Sequence, residues 1–227
     1  MDQRYNFADP ALRDLSISER TSYIRKVFGL VLVGLLVAAA GAQVGMSPSI
    51  LPLVAGSPFI SFLLLIGMVI WAQKASNGPK AIPIFYGFTF VAGAVIAPVI
   101  YVTTHQLGGS QILANAMLLT GLNVVGLAAF SWFSKKDFSF LGGFLFIGLL
   151  TLIGAQLLNL FFFKSSSMVM ATSIVGALLF NGFLLYDLSR VMNSSRQIPP
   201  TVAALTLFLD IFNLFLFILR IMGGNRD

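Results

Sequence analysis

The sequence predicts an all-α polytopic membrane protein, a bundle of seven transmembrane helices, on three observations. Apolar residues fill 57% of the 227 positions and charged residues only 10%. A soluble domain carries roughly 25% charge, and a globule this short of charge could not clothe itself in water. The apolar residues fall into seven runs, each near the roughly 20 residues that cross a hydrocarbon core. Between the runs stand turn residues or charges: GMSPS, QKASNGPK, THQLGGSQ, SKKD, FKSSS and SRVMNSSRQIPP.

Residues 1–26 are polar and mixed in charge, and are expected to form a cytoplasmic N-terminal tail. Ser16 and Glu19 stand at capping-box spacing, so this stretch is either a short interfacial helix or a loosely ordered tail. The seven-helix domain is expected over 27–222. The first span, 27–45, ends in Gly41 and Gly45, a GxxxG pair that predicts close contact with another helix of the same chain rather than a dimer face. Its AAAGAQ stretch has cleavage-site spacing, but the leader before it is too long for a signal peptide, so the span is expected to be retained. The second and third spans, 50–72 and 82–103, follow turn residues, and Pro98 predicts a kink in the third, where with Tyr101 it would shape a cavity mouth. The fourth, 111–133, carries Asn115 and Asn123 on one face. The fifth, 138–163, is long enough to include an interfacial turn and carries Gln156 and Asn159. Hydrogen bonds between helices are the expected use of these amides. The sixth and seventh spans, 168–189 and 201–222, lead to a short tail at 223–227.

Charge placement orients the bundle. With the N-terminus in the cytoplasm, the inner segments hold Arg4, Arg13, Arg20, Arg25, Lys26, Lys74, Lys80, Lys135, Lys136, Arg190 and Arg196. The outer ones hold only Lys164, Arg220 and Arg226. This bias predicts N-inside and C-outside, and it accounts for the net charge of +6 without nucleic acid, since no basic stripe is interleaved with aromatics. A bacterial inner membrane is the expected location. Cysteine is absent, so no disulfide or thiol chemistry is available. The one histidine, His105, is placed in an outer loop and predicts no metal site.

Two acids stand out in the C-terminal spans: Asp187 in FNGFLLYDLSRVM and Asp210 in LTLFLDIFNLFLFILR. Each costs about 2.5–3.5 kcal/mol near the middle of a bilayer. At 1.5 Å per residue, Asp210 lies about 14 Å deep and Asp187 within about 8 Å of the cytoplasmic interface. The vertical gap is then about 6–12 Å, which tilt would narrow. Thr206, Asp210 and Asn213 share a helical face, and Arg190, three residues on, is a counter-charge for Asp187. Read singly, Asp187 is an interfacial ion pair and Asp210 a structural hydrogen bond. Read together, the two share one proton and offer oxygens to a passing cation. They fall short of the 6–8 oxygens of a calcium cage, so a transient calcium site is predicted and no tight one.

The stretches LLYDLSRVM and ALTLFLDIFNLFLFILRIMG, with KKDFSFLGGFL before the fifth span, resemble the Bax inhibitor-1 family over essentially the whole of 27–222. The resemblance implies a seven-helix fold with the last helix central, surrounded by the other six. It implies a pH-sensitive calcium leak whose sensor is a hydrogen-bonded aspartate pair, matched here by Asp187 and Asp210, with calcium as the transported ion and no resident cofactor. In bacterial members an arginine at the cytoplasmic end of the second helix latches onto the first aspartate. Here that stretch reads VIWAQKASNG, and Lys74 is the nearest cation, a point charge without the guanidinium fork. KKDFSFLGG also resembles a branch that binds and restrains a membrane-bound AAA protease, so a non-conducting regulator is the alternative reading.

No enzyme is expected. Intramembrane aspartyl proteases present their second acid within Gly-x-Gly-Asp, whereas bulky LFLD stands here. A single histidine leaves few acid–base schemes.

Overall fold

The computed structural model describes residues 17–76, 78–105, 109–193 and 198–224. Ser16 of the capping-box pair lies outside them, as do Arg4, Arg13, Arg196 and Arg226 of the charge bias. Among the described residues eight α-helices make seven passes: α1 (Ile17–Gly45), α2 (Leu51–Gly56), α3 (Pro58–Lys74), α4 (Ala81–His105), α5 (Ser110–Ser134), α6 (Gly142–Leu158), α7 (Ser166–Asn193) and α8 (Pro200–Gly223).

Three boundaries depart from the sequence-based expectation. α1 is one unbroken helix from Ile17, so its first ten residues extend the first span instead of forming a separate interfacial helix or a loose tail. The second pass is broken at Ser57, between α2 and α3, each of which carries a proline in its first turn. Proline suits a helix start and lacks the N–H that would continue the preceding turn. The fifth pass opens with a 3-10 turn at Ser139–Leu141 and closes with a π turn at Asn159–Phe163. The Asn159 side chain sets that last turn, accepting from the Ser165 N–H at 2.9 Å and donating to the Ser165 carbonyl at 3.2 Å.

The passes alternate. At one end the Arg20 guanidinium donates to the Met192 carbonyl, and Thr201 Oγ1 donates to the Ser76 carbonyl at 2.9 Å. Asn193 donates to the Ser131 and Lys136 carbonyls at 3.1 and 3.0 Å, and the Phe138 N–H donates to Ser189 Oγ at 3.1 Å. These bonds gather the start of α1, the end of α3, the α5–α6 turn and the α7–α8 turn. At the other end the C-termini of α4 and α8 meet the start of α7.

α8 is the central helix. Of its most apolar stretch 67% is buried, against 11 to 44% for the other long apolar helices. It touches α1, α3, α4, α5 and α7, whereas α6 leans on α7 from outside. Around it lies the inner apolar cluster, with Phe85, Phe88 and Phe208 in edge-to-face contact. The outer faces are also apolar: Leu118, Val125, Phe144 and Phe162 are all more than half exposed. A protein hydrophobic outside as well as inside has lipid as its solvent.

α1 and α4 run parallel and pack backbone against backbone. A Cβ on Gly41 would stand 2.0 Å from the Phe90 carbonyl oxygen, and one on Gly93 would stand 1.8 Å from that of Ala38. Gly45 meets Ala94 in the same way. The GxxxG pair therefore serves a contact within the chain, as its sequence context predicts.

Candidate functional site

α7 and α8 carry both acids and bury complementary stripes against each other. On α7 the buried positions include Phe180, Leu184, Asp187, Leu188 and Val191; on α8 they include Ala203, Leu207, Asp210, Leu214 and Phe217. These are the i, i+3, i+4, i+7 rows through which helices interlock. Close approach is helped by small residues, since a Cβ on Gly176 would fall 2.6 Å from the Phe217 ring.

Asp187 and Asp210 are each 5% exposed, and their carboxyl groups lie within hydrogen-bonding reach of each other. The Thr206 hydroxyl donates to the Ala203 carbonyl at 3.2 Å and also stands in reach of the Asp187 carboxyl. Arg190 Nη1 approaches Asp187 Oδ1 at 3.5 Å, its guanidinium 5.2 Å from the centre of the Tyr186 ring. Among the described residues Asp210 Oδ2 has no hydrogen-bond partner. Two ionised carboxylates so close in a low-dielectric interior repel strongly, so the pair calls for one proton between them. Such a unit can gain or lose a proton, or exchange it for a cation. No cluster of three or more His, Cys, Asp or Glu is found among the described residues.

The other singled-out residues fall as follows. Asn213 donates to the Leu209 carbonyl of its own helix at 2.8 Å, so of the polar stripe on α8 Thr206 joins the acid pair and Asn213 turns to its own backbone. Lys74 is exposed at the end of α3 and makes no ion pair among the described residues; Asp187 takes Arg190 instead. Asn115 accepts from Gln111 at 3.2 Å and Asn123 donates to the Leu119 carbonyl at 3.1 Å, both within α5. The expected inter-helix use of these amides is therefore corrected for α5: with lipid on most sides, this helix meets its own polar needs. α4 continues through Pro98, which with Val102 lines a cavity at the end of the bundle away from the acid pair. His105 stacks on Tyr101 and bonds to its carbonyl at 3.1 Å.

Sequence reasoning missed the part played by α1. Tyr23, 9% exposed, lies close enough to Arg190 to feel its charge, and Arg20 caps the end of α7 through Met192. The signal was present in the spacing of Tyr23, Val27, Leu30 and Val31, all buried, which runs across the expected start of the first span at 27, but Arg20, Arg25 and Lys26 made the part before it read as a tail. Replacing Arg20 with alanine removes a charge-assisted bond to the last turn of α7. It is expected to lower stability by about 1–2 kcal/mol, read as a fall in the thermal unfolding temperature in detergent.

Comparison with known proteins follows the same residues. Positions 20–227 match the protein family described as inhibitor of apoptosis-promoting Bax1. A membrane protein of Vibrio cholerae is 33% identical over 212 residues, covering 92% of this chain and 93% of its own. Protein lifeguard 4 of mouse is 30% identical over 210 residues, covering 91% and 87%. The inner membrane protein YbhL of Escherichia coli is 28% identical over 227 aligned positions, covering 90% and 92%.

Proposed function

This chain belongs to the Bax inhibitor-1 family, and on that premise we propose that it is a pH-sensitive cation leak, with calcium as the transported ion and the Asp187–Asp210 pair as its sensor. The observation that carries the reading is the contact itself. Two acids that are each costly in lipid are held together at the packed face of α7 and α8, with one cation beside them. Leu184, Leu188, Leu207 and Leu214, neighbours of the two acids along α7 and α8, are almost wholly buried, and in this reading the packed helix face is the closed state. Gain or loss of the shared proton changes the attraction between the pair and Arg190, and so the balance between this closed packing and a wetter, open one. The membrane is a bacterial inner membrane in this reading, with the N-terminus in the cytoplasm and the acid pair nearer that side, in keeping with the inner membrane location that the name of the Escherichia coli relative states.

Purified protein in liposomes loaded with a calcium dye tests the proposal. Calcium entry above that of empty liposomes, changing between about pH 5 and pH 8, is the expected result. Absence of flux at every pH would remove the leak. A pull-down of a membrane-bound protease that needs residues 1–26 would then favour a non-conducting regulator.

The counter-charge can be tested in the same assay. Arg190→Gln is expected to move the midpoint of the pH profile by up to about one unit, because a charge 3.5 Å from Asp187 is lost. Lys74→Ala is expected to leave the midpoint unchanged. The reverse ranking would mean that the active form pairs Asp187 with the second pass instead.

A further inference from the structure

A second polar feature lies at the other end of the bundle and plays no part in the acid pair. Arg220 sits ten residues beyond Asp210 on α8, about 15 Å further along the axis. Among the described residues no side chain or carbonyl accepts a hydrogen bond from its guanidinium and no acid pairs with it; its one contact of note is the Phe217 ring, with its centre 5.7 Å away. Beside it opens a cleft of about 370 Å³ between the ends of α4 and α8 and the start of α7, within the roughly 300–1,000 Å³ range of small-molecule sites.

The walls of the cleft are chiefly apolar, from Pro98, Val99, Met170 and Leu219. Val102 and Val169, 39% and 41% exposed, stand at its sides and join it to the lipid-facing surface. Ser173 and Thr103 are buried in it. Their hydroxyls donate to the Val169 and Val99 carbonyls at 2.7 and 2.8 Å, which leaves each oxygen able to accept. An arginine at a helix C-terminus commonly serves only to offset the helix dipole while its stem lies along apolar surface. That role needs no adjoining cleft.

We propose that this cleft is a binding site for one anionic phospholipid, its phosphate held by Arg220 and an acyl chain lying in the channel between α4 and α7. Charge complementarity selects an anionic head group: a guanidinium matches a phosphate with paired N–H donors, and a zwitterionic lipid would bring a second cation up to Arg220. The apolar walls, open sideways to hydrocarbon, select an amphiphile over a free anion. In the orientation proposed above, the site faces the outer leaflet.

The test uses the full chain, delipidated in detergent and offered equal amounts of phosphatidylglycerol and phosphatidylcholine with the same acyl chains. Bound lipid is counted by native mass spectrometry. Phosphatidylglycerol is expected to be favoured about tenfold, because both lipids offer a phosphate but phosphatidylcholine also places a quaternary ammonium near Arg220. Arg220→Gln is expected to bring the two lipids within about twofold, and Arg220→Lys to keep part of the preference. Val102→Trp, which leaves the cation in place and fills the mouth of the cleft, is expected to reduce occupancy by both lipids. Equal binding by the wild-type protein, an unchanged preference in Arg220→Gln, or displacement of the lipid by inorganic phosphate alone would each overturn the assignment. The wild-type preference and Val102→Trp decide the matter even if the arginine variants fold poorly. Calcium flux is not part of the readout, so failure of the leak leaves this result standing.

Discussion

With Asp210 replaced by asparagine, calcium flux through reconstituted protein is expected to be the same, within about twofold, from about pH 5 to pH 8. Asparagine has nearly the volume of aspartate and puts an amide where the shared proton was. Its Nδ2 can donate to Asp187 at every pH, so the switch is held in one setting. The fold is expected to survive, because asparagine replaces a buried carboxyl that lies against another acid and has one oxygen without a hydrogen-bond partner among the described residues. Asp187→Asn is expected to flatten the profile as well. It should also lower stability by about 1 kcal/mol, since the partner of Arg190 becomes neutral and that arginine is partly screened by solvent, with 32% of its side chain exposed. A wild-type pH profile in either variant, with the thermal unfolding transition intact, would show that the sensor lies elsewhere.

Replacing Gly93 with alanine is expected to be the most damaging of the small substitutions in the membrane domain. Its Cβ would stand 1.8 Å from the Ala38 carbonyl oxygen and 2.9 Å from the Ala38 Cα. Neither backbone atom can swing aside as a side chain would, so α1 and α4 must separate. Overpacking costs about 1–3 kcal/mol in ordinary cores and more where no rotamer can relieve it. A fall of about 6–12 °C in unfolding temperature is expected for about 3 kcal/mol in a chain of this size. Gly87→Ala on the same helix is the control. A Cβ there meets nothing within 4 Å, and the higher helix propensity of alanine should leave stability equal or raised by up to about 1 kcal/mol. Equal effects at the two positions would contradict the backbone contact between α1 and α4.

Most of the architecture was legible because lipid imposes a coarse rule. Each pass must be apolar over a fixed length, so the seven runs of the sequence are the seven passes. Details escaped where that rule is silent. The first turns of α1 are polar because they reach beyond the apolar run, yet Tyr23 there is buried. The break at Ser57 falls inside an apolar run and is a matter of backbone N–H groups, which hydropathy does not weigh. The amides of α5 were expected to reach a neighbour, but this helix has only 11% of its most apolar stretch buried.

The acid pair shows most clearly where one kind of information ends and the other begins. Sequence by itself determined that lipid is the solvent, that the last two passes form an antiparallel hairpin, and that each carries one acid. It left a gap of about 6–12 Å between the acids on helix rise alone. Tertiary structure decided that they meet and that Arg190, not Lys74, faces Asp187. α7 continues past the expected end of its span to Asn193, where bonds to Ser131 and Lys136 hold its end. Side chains tilt toward the N-terminus of their own helix. In antiparallel neighbours the two tilts point in opposite directions along the bundle axis, which brings the carboxyl groups of Asp187 and Asp210 closer than helix rise alone suggests. Rise per residue is a property of one chain segment, whereas the relative height of two segments is set by what holds their ends.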